Sequence, residues 1–576
     1  MNQKIKLIPL LLFSAFATQA AKDVKVMQYL HAGPITVNKP ILTDSLNVDG
    51  KPFEAKNLVK STIPFGRALG NAAVIDADTA GLITVPTPEK GYALHLYSFY
   101  LNSDRYTKGS LEVSGAGTFE VFVNNKPVGA TSELALEPHR YEVVIKYLTA
   151  DTDTCPSTLT AKFKSEEEAK VIASLDPKKR YTPRDILEGT QFRGTSGSPD
   201  GKYVLVKYYT RMEGGKSEQY AQLRDAATGR ILLQDKGFIL TADWMPTSSK
   251  MYFTRTGMNG KELVTVDPAT MQEEILAENL PEGSFSFTPD EKTLLYTIQE
   301  EGPKDGPDML RILEPNDRLP GFRNRYFIWR YDLQTGLYEQ LTYGHNNTFI
   351  NDVSADSRYL LFSTSEQDYT SLPHSSNSMY KLDLQSMAVD TLWERAKYIN
   401  GATFSPDGKQ LMVFGSGNAF DNIGLNIKEG QISNTYDGQL FLYDPATRKA
   451  KALTKDFNPN VTSAQWNKFD GQIYMLTEDQ DYQRVYTCNP ANGKIRRLDL
   501  PEDVIYNYSL AEAAPVMYYY GQSVSNANRL YSYNTKSKKT QLIYDLSADK
   551  LKDIQFGEVH DWNFTSTDGT IIQGRY

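Results

Sequence analysis

Two short turn sequences alternate along most of this chain, and their regular succession constrains the fold more than any single motif. The first is a turn running into an apolar strand, Ser198-Pro-Asp-Gly-Lys-Tyr-Val-Leu-Val206, with counterparts beginning at Pro246, Thr288, Ser354, Ser405 and Phe469 and a degenerate seventh at Ala514. The second begins at an acid or amide: Asp225-Ala-Ala-Thr-Gly229, then Asp267, Asp332, Asp383, Asp444, Asn489 and Asn534. In both, Pro or a small residue fixes φ beside an Asp or Asn that can accept backbone amides, and Gly reverses the chain, so both close hairpins. The second turns are spaced 42, 65, 51, 61, 45 and 45 residues apart. The short steps match a four-stranded propeller blade of roughly 40 to 50 residues, and the long ones a blade plus an inserted loop. The fold class is therefore all-β, with a seven-bladed propeller over residues 191–555. An eighth, degenerate blade drawn from residues before Gly194 or after Asp545 is the alternative count.

Ahead of the repeats, residues 22–165 alternate strand-like runs such as 93–100, 118–123 and 141–147 with turn signals at Asn124-Asn125 and Ser114–Gly117. The 36 Tyr and 25 Phe of the chain suit such strands, because aromatic rings fit a pleated, half-buried surface. This predicts a jelly-roll-like β-sandwich, either a carbohydrate-binding module or a packing domain without a ligand. A short charged helix is expected around Ser165–Ser174, within a linker over residues 166–190. The first 21 residues read as an export signal: Lys4 and Lys6 are followed by the apolar run Leu7–Phe16 and by small residues at Ala15, Ala17, Ala20 and Ala21. That run is too short for a membrane span, which needs roughly 20 apolar residues. A periplasmic or secreted location follows as the expectation. The two cysteines, Cys155 and Cys488, fall in different expected domains and are read as free thiols. A net charge of -8 without a Lys/Arg run argues against nucleic acid as a partner. The six histidines are scattered, with neither H-E-x-x-H nor Cys/His ligand spacing, and no nucleotide fingerprint occurs, so no metal or organic cofactor is expected.

Pro199-Asp-Gly-Lys202, the Asp444-Pro-Ala-Thr447 turns and the lead-in Thr182–Leu187 resemble the N-terminal propeller of the prolyl oligopeptidase and dipeptidyl peptidase IV family of serine peptidases. Residues His560–Tyr576, two strand-like runs about a turn at Asp568-Gly569, resemble the junction where that propeller hands over to the α/β-hydrolase domain. The resemblance covers residues 180–576 and implies peptide substrates, a partner hydrolase domain in the same polypeptide beginning at 556–576, and a propeller that filters peptides. It implies no catalytic residue within this chain. Gly194–Ser198 and Gly521–Ser525 lack the closing Gly of a G-x-S-x-G elbow, and the chain alone is expected to be inactive. Glu300-Glu301 lack the Trp-x-Tyr-Glu-Glu setting that would hold a peptide amino terminus. Two insertions are the candidate substrate-binding elements. The first, residues 301–325, offers Arg318, Arg323 and Arg325 as forks for a peptide carboxylate or carbonyl. The second, residues 415–438, offers Asn418, Phe420 and Asp421. Packing against the N-terminal domain or a homodimer partner is the other role for these loops. A TolB-like scaffold propeller, or a carbohydrate-active one, are the alternatives to a peptidase.

Overall fold

The computed structural model describes residues 21–153, 156–169, 171–181, 183–306, 309, 311–524, 526–556 and 558–576. The expected export signal, apart from Ala21 at its end, and Cys155 lie outside the described residues. The chain forms two compact units. One runs to Leu187 and adds Lys550–Glu558, and the other comprises Glu188–Asp549 and Val559–Tyr576.

The first unit is a sandwich of two antiparallel sheets. The central strand of the larger sheet, Tyr92–Ser103, pairs with Gln28–Val37 on one side and Arg140–Ala150 on the other. Its Tyr97, Phe99 and Leu101 enter a core with Leu111, Ile145, Leu159 and Phe163. Its opposite face is buried too, because Leu94 packs with Leu58 and Val59 of a 3-10 turn. The expected helix at Ser165–Ser174 is corrected: the strand Ser157–Ala169 runs through it, and Val171–Ser174 pairs with Tyr92–Ser103. Local helix propensity loses here to sheet partners, with Leu159, Ala161 and Phe163 buried and Lys162 bridging to Glu112 at 2.9 Å. Residues 166–174 thus belong to the sandwich rather than to a linker. Residues 550–558 likewise leave the propeller, since Ile554–Gln555 pairs in parallel with Lys179–Arg180 of the first unit.

The second unit contains, among the described residues, seven four-stranded antiparallel blades. The first is built from Gly189–Gly197, Tyr203–Arg211, Ser217–Asp225 and Ile231–Asp235. The others occupy residues 243–277, 284–340, 348–396, 399–452, 460–497 and 504–545, the last two joined by one parallel bridge, Gln483 to Val504. The count is seven, and the strands of this unit that follow, Asp561–Thr565 and Ile571–Arg575, pair only with each other.

The two repeated turns are held by their own side chains. Ser198 Oγ donates to Asp200 at 2.6 Å and accepts the Lys202 and Tyr203 amides at 3.1 Å. The same hydroxyl-to-carboxylate bond recurs at Thr288–Asp290, Ser354–Asp356 and Ser405–Asp407. In every outer turn the first Asp or Asn accepts the amide three residues on, and in two it also accepts that residue's hydroxyl, as in Asp332 with Thr335 at 2.7 Å each. The fifth residue of every outer turn has positive φ: Gly229, Gly336 and Gly493, but also Met271, Met387, Arg448 and Lys538. A side chain there is strained, by about 1 kcal/mol. Met271→Gly, at a partly exposed position, should therefore stabilise the propeller by about that amount, read as a higher urea midpoint.

Six of the seven inner turns also have a residue of positive φ, and where that residue is not Gly its side chain reaches the preceding blade. Ser249 Oγ accepts the Asp200 amide at 3.1 Å, Glu291 accepts the Thr247 and Ser248 amides at 2.7 Å, and Ser357 accepts the Asp290 amide at 2.9 Å. These bonds stitch the first four blades along one face.

Among the described residues no strand is exchanged between first and last blades, and the ring closes by packing. Phe192, Val204 and Tyr208 of the first blade bury Tyr518, Tyr520 and Leu530 of the seventh. Tyr518 donates to the Gly201 carbonyl at 2.6 Å, and the Ala513 amide to the Pro199 carbonyl at 2.9 Å. Because each blade is antiparallel, connections from second to third strands and from one blade to the next share one face of the ring. The repeated turns occupy the other.

Candidate functional site

Both insertions connect second to third strands, of the third and fifth blades, and so lie on the same face. Residues 301–325 fold on themselves around Asp317, whose side chain is 1% exposed. Arg323 donates to both its carboxylate oxygens, at 2.7 and 2.8 Å, and the Leu313 amide donates at 3.0 Å. The Arg323 bonds, then the Leu313 amide, hold the Asp317 carboxyl down near 2. Arg323 also meets Asp305 at 2.9 Å and the carbonyls of Arg311 and Pro303, so each of its nitrogens is bonded within the loop. Arg325 donates to the carbonyls of Phe322 and Asn324 at 2.9 Å and to that of His345. Both therefore help hold the loop in shape, while Nη2 of Arg325 makes no hydrogen bond to another described residue. Arg318 differs: it is exposed beside a cleft of about 380 Å³ walled by Glu301–Asp305 and residues 317–324, and it has no ion-pair partner among the described residues.

The neighbouring blade continues this rim. Tyr369 donates to Glu314 at 3.2 Å, tying the loop of the fourth blade to the first insertion. Asp368, held far below the usual carboxylate range by Ser371 and Thr370, stands 3.9 Å from Lys397, and Tyr398 donates to the Leu372 carbonyl at 3.3 Å.

In the second insertion Phe420, Asp421 and Asn422 all have positive φ, 51°, 59° and 68°. Three successive residues in this region carry a strain of about 1 kcal/mol or more each. The Phe420 ring supplies part of the compensation, packing 5.8 Å from Trp393, 5.6 Å from Phe441 and 5.8 Å from Tyr443. Asn418 donates to Asn422 at 3.0 Å and accepts from Ser433 at 3.1 Å. Of the three candidates here, Asn418 is engaged inside the insertion, Phe420 packs on strands of the fourth and fifth blades, and Asp421 is exposed. Glu301 pairs with Lys304 at 2.6 Å, and Glu300 accepts from Gln340 at 3.4 Å.

The strand pair Asp561–Thr565 and Ile571–Arg575 docks on this same face through a residue that sequence reasoning did not single out. Arg575 meets Asp481, Asp503 at 3.3 Å and Asp561 at 3.3 Å, and lies 4.1 Å over the ring of Tyr482, which Arg484 also covers at 3.6 Å. Asp317 was missed in the same way. Its one sequence signal is the mixture of Asp and Arg in an insertion with little apolar content, a pattern suited to internal pairing. Beyond the Arg575 anchor the hairpin exposes Trp562, Phe564, Ile571 and Ile572. Burial pushes the Cys488 thiol up to about 11, which leaves it protonated and inert. Among the described residues, no three His, Cys, Asp or Glu side chains converge as a metal site would require. Among the described residues, no helix is long and apolar enough to cross a membrane.

Among solved structures the chain is similar to acylaminoacyl peptidase from Pyrococcus horikoshii, with a TM-score of 0.50 and 14% identity over 69% of this chain and 58% of that one. Similarity extends to the β-propeller domain of the trilobed protease from Pyrococcus furiosus, TM-score 0.42, 12% identity, over 62% and 96% of the two chains. Dipeptidyl peptidase 4 from Porphyromonas gingivalis follows, TM-score 0.40, 11% identity, over 66% and 64%. The first of these establishes a shared fold, and this chain spans 58% of that peptidase's length. No curated protein matches the chain. The model of the family described as the SMP-30/gluconolactonase/LRE-like region matches residues 242–532, from the start of the second blade to the third strand of the seventh. That match takes in half of the chain, which belongs to the SMP-30/gluconolactonase/LRE-like family of propellers.

Proposed function

We propose that this propeller is the substrate filter of an exported serine peptidase of the prolyl oligopeptidase type, positioning peptides for a hydrolase domain that follows residue 576. The observation that carries this reading is the shared face. Both insertions lie there with the 561–575 hairpin, whose Trp562, Phe564, Ile571 and Ile572 are exposed as a surface that a following domain would cover. Peptides would then approach past Arg318 and Asp421, two of the exposed charges of the insertions. Arg323, Arg325, Asn418 and Phe420 act as the framework that fixes them. Export by the leader would place the enzyme in the periplasm or outside the cell.

The filter role is tested in the polypeptide that includes the hydrolase domain, on peptides differing in length and terminal charge. Arg318→Ala should lower kcat/KM about three- to tenfold for peptides with an acidic group facing that rim, and Asp421→Ala should do the same for basic ones. Neutral peptides should change little. Identical kinetics for both variants on every peptide would remove these residues from the filter.

A further inference from the structure

On the opposite face of the ring, where the repeated turns lie, a cleft of about 490 Å³ opens between the sixth and seventh blades. Its inner wall holds Tyr474 and Tyr533, 2% and 3% exposed, with Thr487 and Thr535. Four cations line it: Lys494, Arg496 and Arg497 after the outer turn of the sixth blade, and Lys538 in the outer turn of the seventh. Only two carboxylates accompany them, Asp470 and Asp499, giving the cleft two excess positive charges on a chain of net charge -8.

Three of the five other cations of these two blades are paired within the fold, and Lys536 and Lys539 are not. Arg484 pairs with Asp479 at 2.9 Å, Lys468 with Glu512 at 2.7 Å and Arg529 with Asp545 at 2.7 Å. Among the described residues, none of the four cleft cations has such a partner. Nor does Asp470 serve as one, because Tyr474 donates to one of its oxygens at 2.8 Å and the Gln472 amide to the other at 3.0 Å. Cations gathered in a concave site repel one another, and a low-dielectric wall strengthens that repulsion. An oxyanion reverses the balance: guanidinium forks match phosphoryl and sulfuryl oxygens, and lysines add point charge. The volume suits a small molecule.

We propose that this cleft binds a small ligand carrying a phosphate or sulfate group, with Arg496, on the strand face shared by Thr487 and Tyr474, as its main contact, Lys494 and Lys538 completing the site and Arg497 adding charge at its edge. It is separate from the face assigned to peptide filtering and stands whether or not that assignment holds. The test is isothermal titration of the whole chain with sodium phosphate, pyrophosphate and sulfate, against sodium chloride at matched ionic strength. The expected result is saturable binding of at least one of the three, weakened about tenfold or more in Arg496→Gln/Arg497→Gln. Both arginines are exposed and unpaired, so the variant should retain its melting temperature in the absence of ligand. Tighter binding of phosphate and pyrophosphate than of sulfate identifies a phosphorylated ligand, and the reverse order a sulfated one. Absence of saturable binding by all three anions, or equal affinity in the double variant, overturns the proposal.

Discussion

Gly201→Ala is expected to destabilise the propeller by about 3 kcal/mol, whereas Gly408→Ala, at the matching turn of the fifth blade, should cost about 1 kcal/mol. The two glycines have nearly the same backbone, φ of 69° and 70°, so both substitutions carry the same strain. Their surroundings differ. A Cβ at Gly201 would stand 2.5 Å from Val516 Cγ1 and 3.0 Å from Ala514 Cβ in the seventh blade, while one at Gly408 meets nothing within 4 Å. The excess at Gly201 therefore measures the ring closure, which rests on packing and on the Tyr518 and Ala513 bonds to the first blade. Urea unfolding of the two variants gives the comparison directly. Equal losses would mean that the closing contact yields freely and contributes little to holding the ring.

The second large effect is on pH. His95 is fully buried in the sandwich, its Nδ1 3.0 Å from His31 Nε2 and its Nε2 3.1 Å from Thr149 Oγ1, with Tyr97 stacked on the His31 ring. Burial, reinforced by the neighbouring His31, lowers its pKa to about 4 from the ordinary 6.5, and burial lowers that of His31 as well. A histidine depressed in the folded state contributes its full stability above pH 6.5, where neither state is protonated. Between 6.5 and 4 the unfolded chain takes up a proton that the folded one refuses, so stability falls with falling pH and levels off below about 4. From His95 alone the loss is about 3 kcal/mol over that window. His95→Gln, which keeps a polar group for Thr149, should flatten the fall relative to the unaltered chain between pH 6.5 and 5, where few carboxylates titrate. Parallel pH profiles for the two proteins would show that His95 protonates in the folded state as easily as in the unfolded one.

What could be read from the sequence follows from how far each interaction reaches along the chain. The outer turns were legible because Asp332 and its equivalents bind amides and hydroxyls within three residues. Seven such turns then fixed the number of blades. The strand at 157–169 was not legible, because its partners, Glu112 and Leu111 among them, lie some fifty residues away. Nor was the return of Ile554–Gln555 to Lys179–Arg180, a pairing across the whole propeller sequence. In the site, length alone revealed the two insertions, and charge alone nominated Arg318, Arg323 and Arg325. It could not separate them: Arg323 and Arg325 are bound by carbonyls of the loop and by Asp317, partners that exist only once the loop has folded. The left-handed run at Phe420–Asn422 was hidden for the same reason, since its aromatic support comes from Trp393, Phe441 and Tyr443.

The most direct test of the peptidase reading is the coding sequence beyond the codon for Tyr576. The account predicts an in-frame α/β-hydrolase domain, with a G-x-S-x-G elbow followed by Asp and His within about 250 residues. A stop codon at that point, or a continuation lacking the elbow, would contradict it.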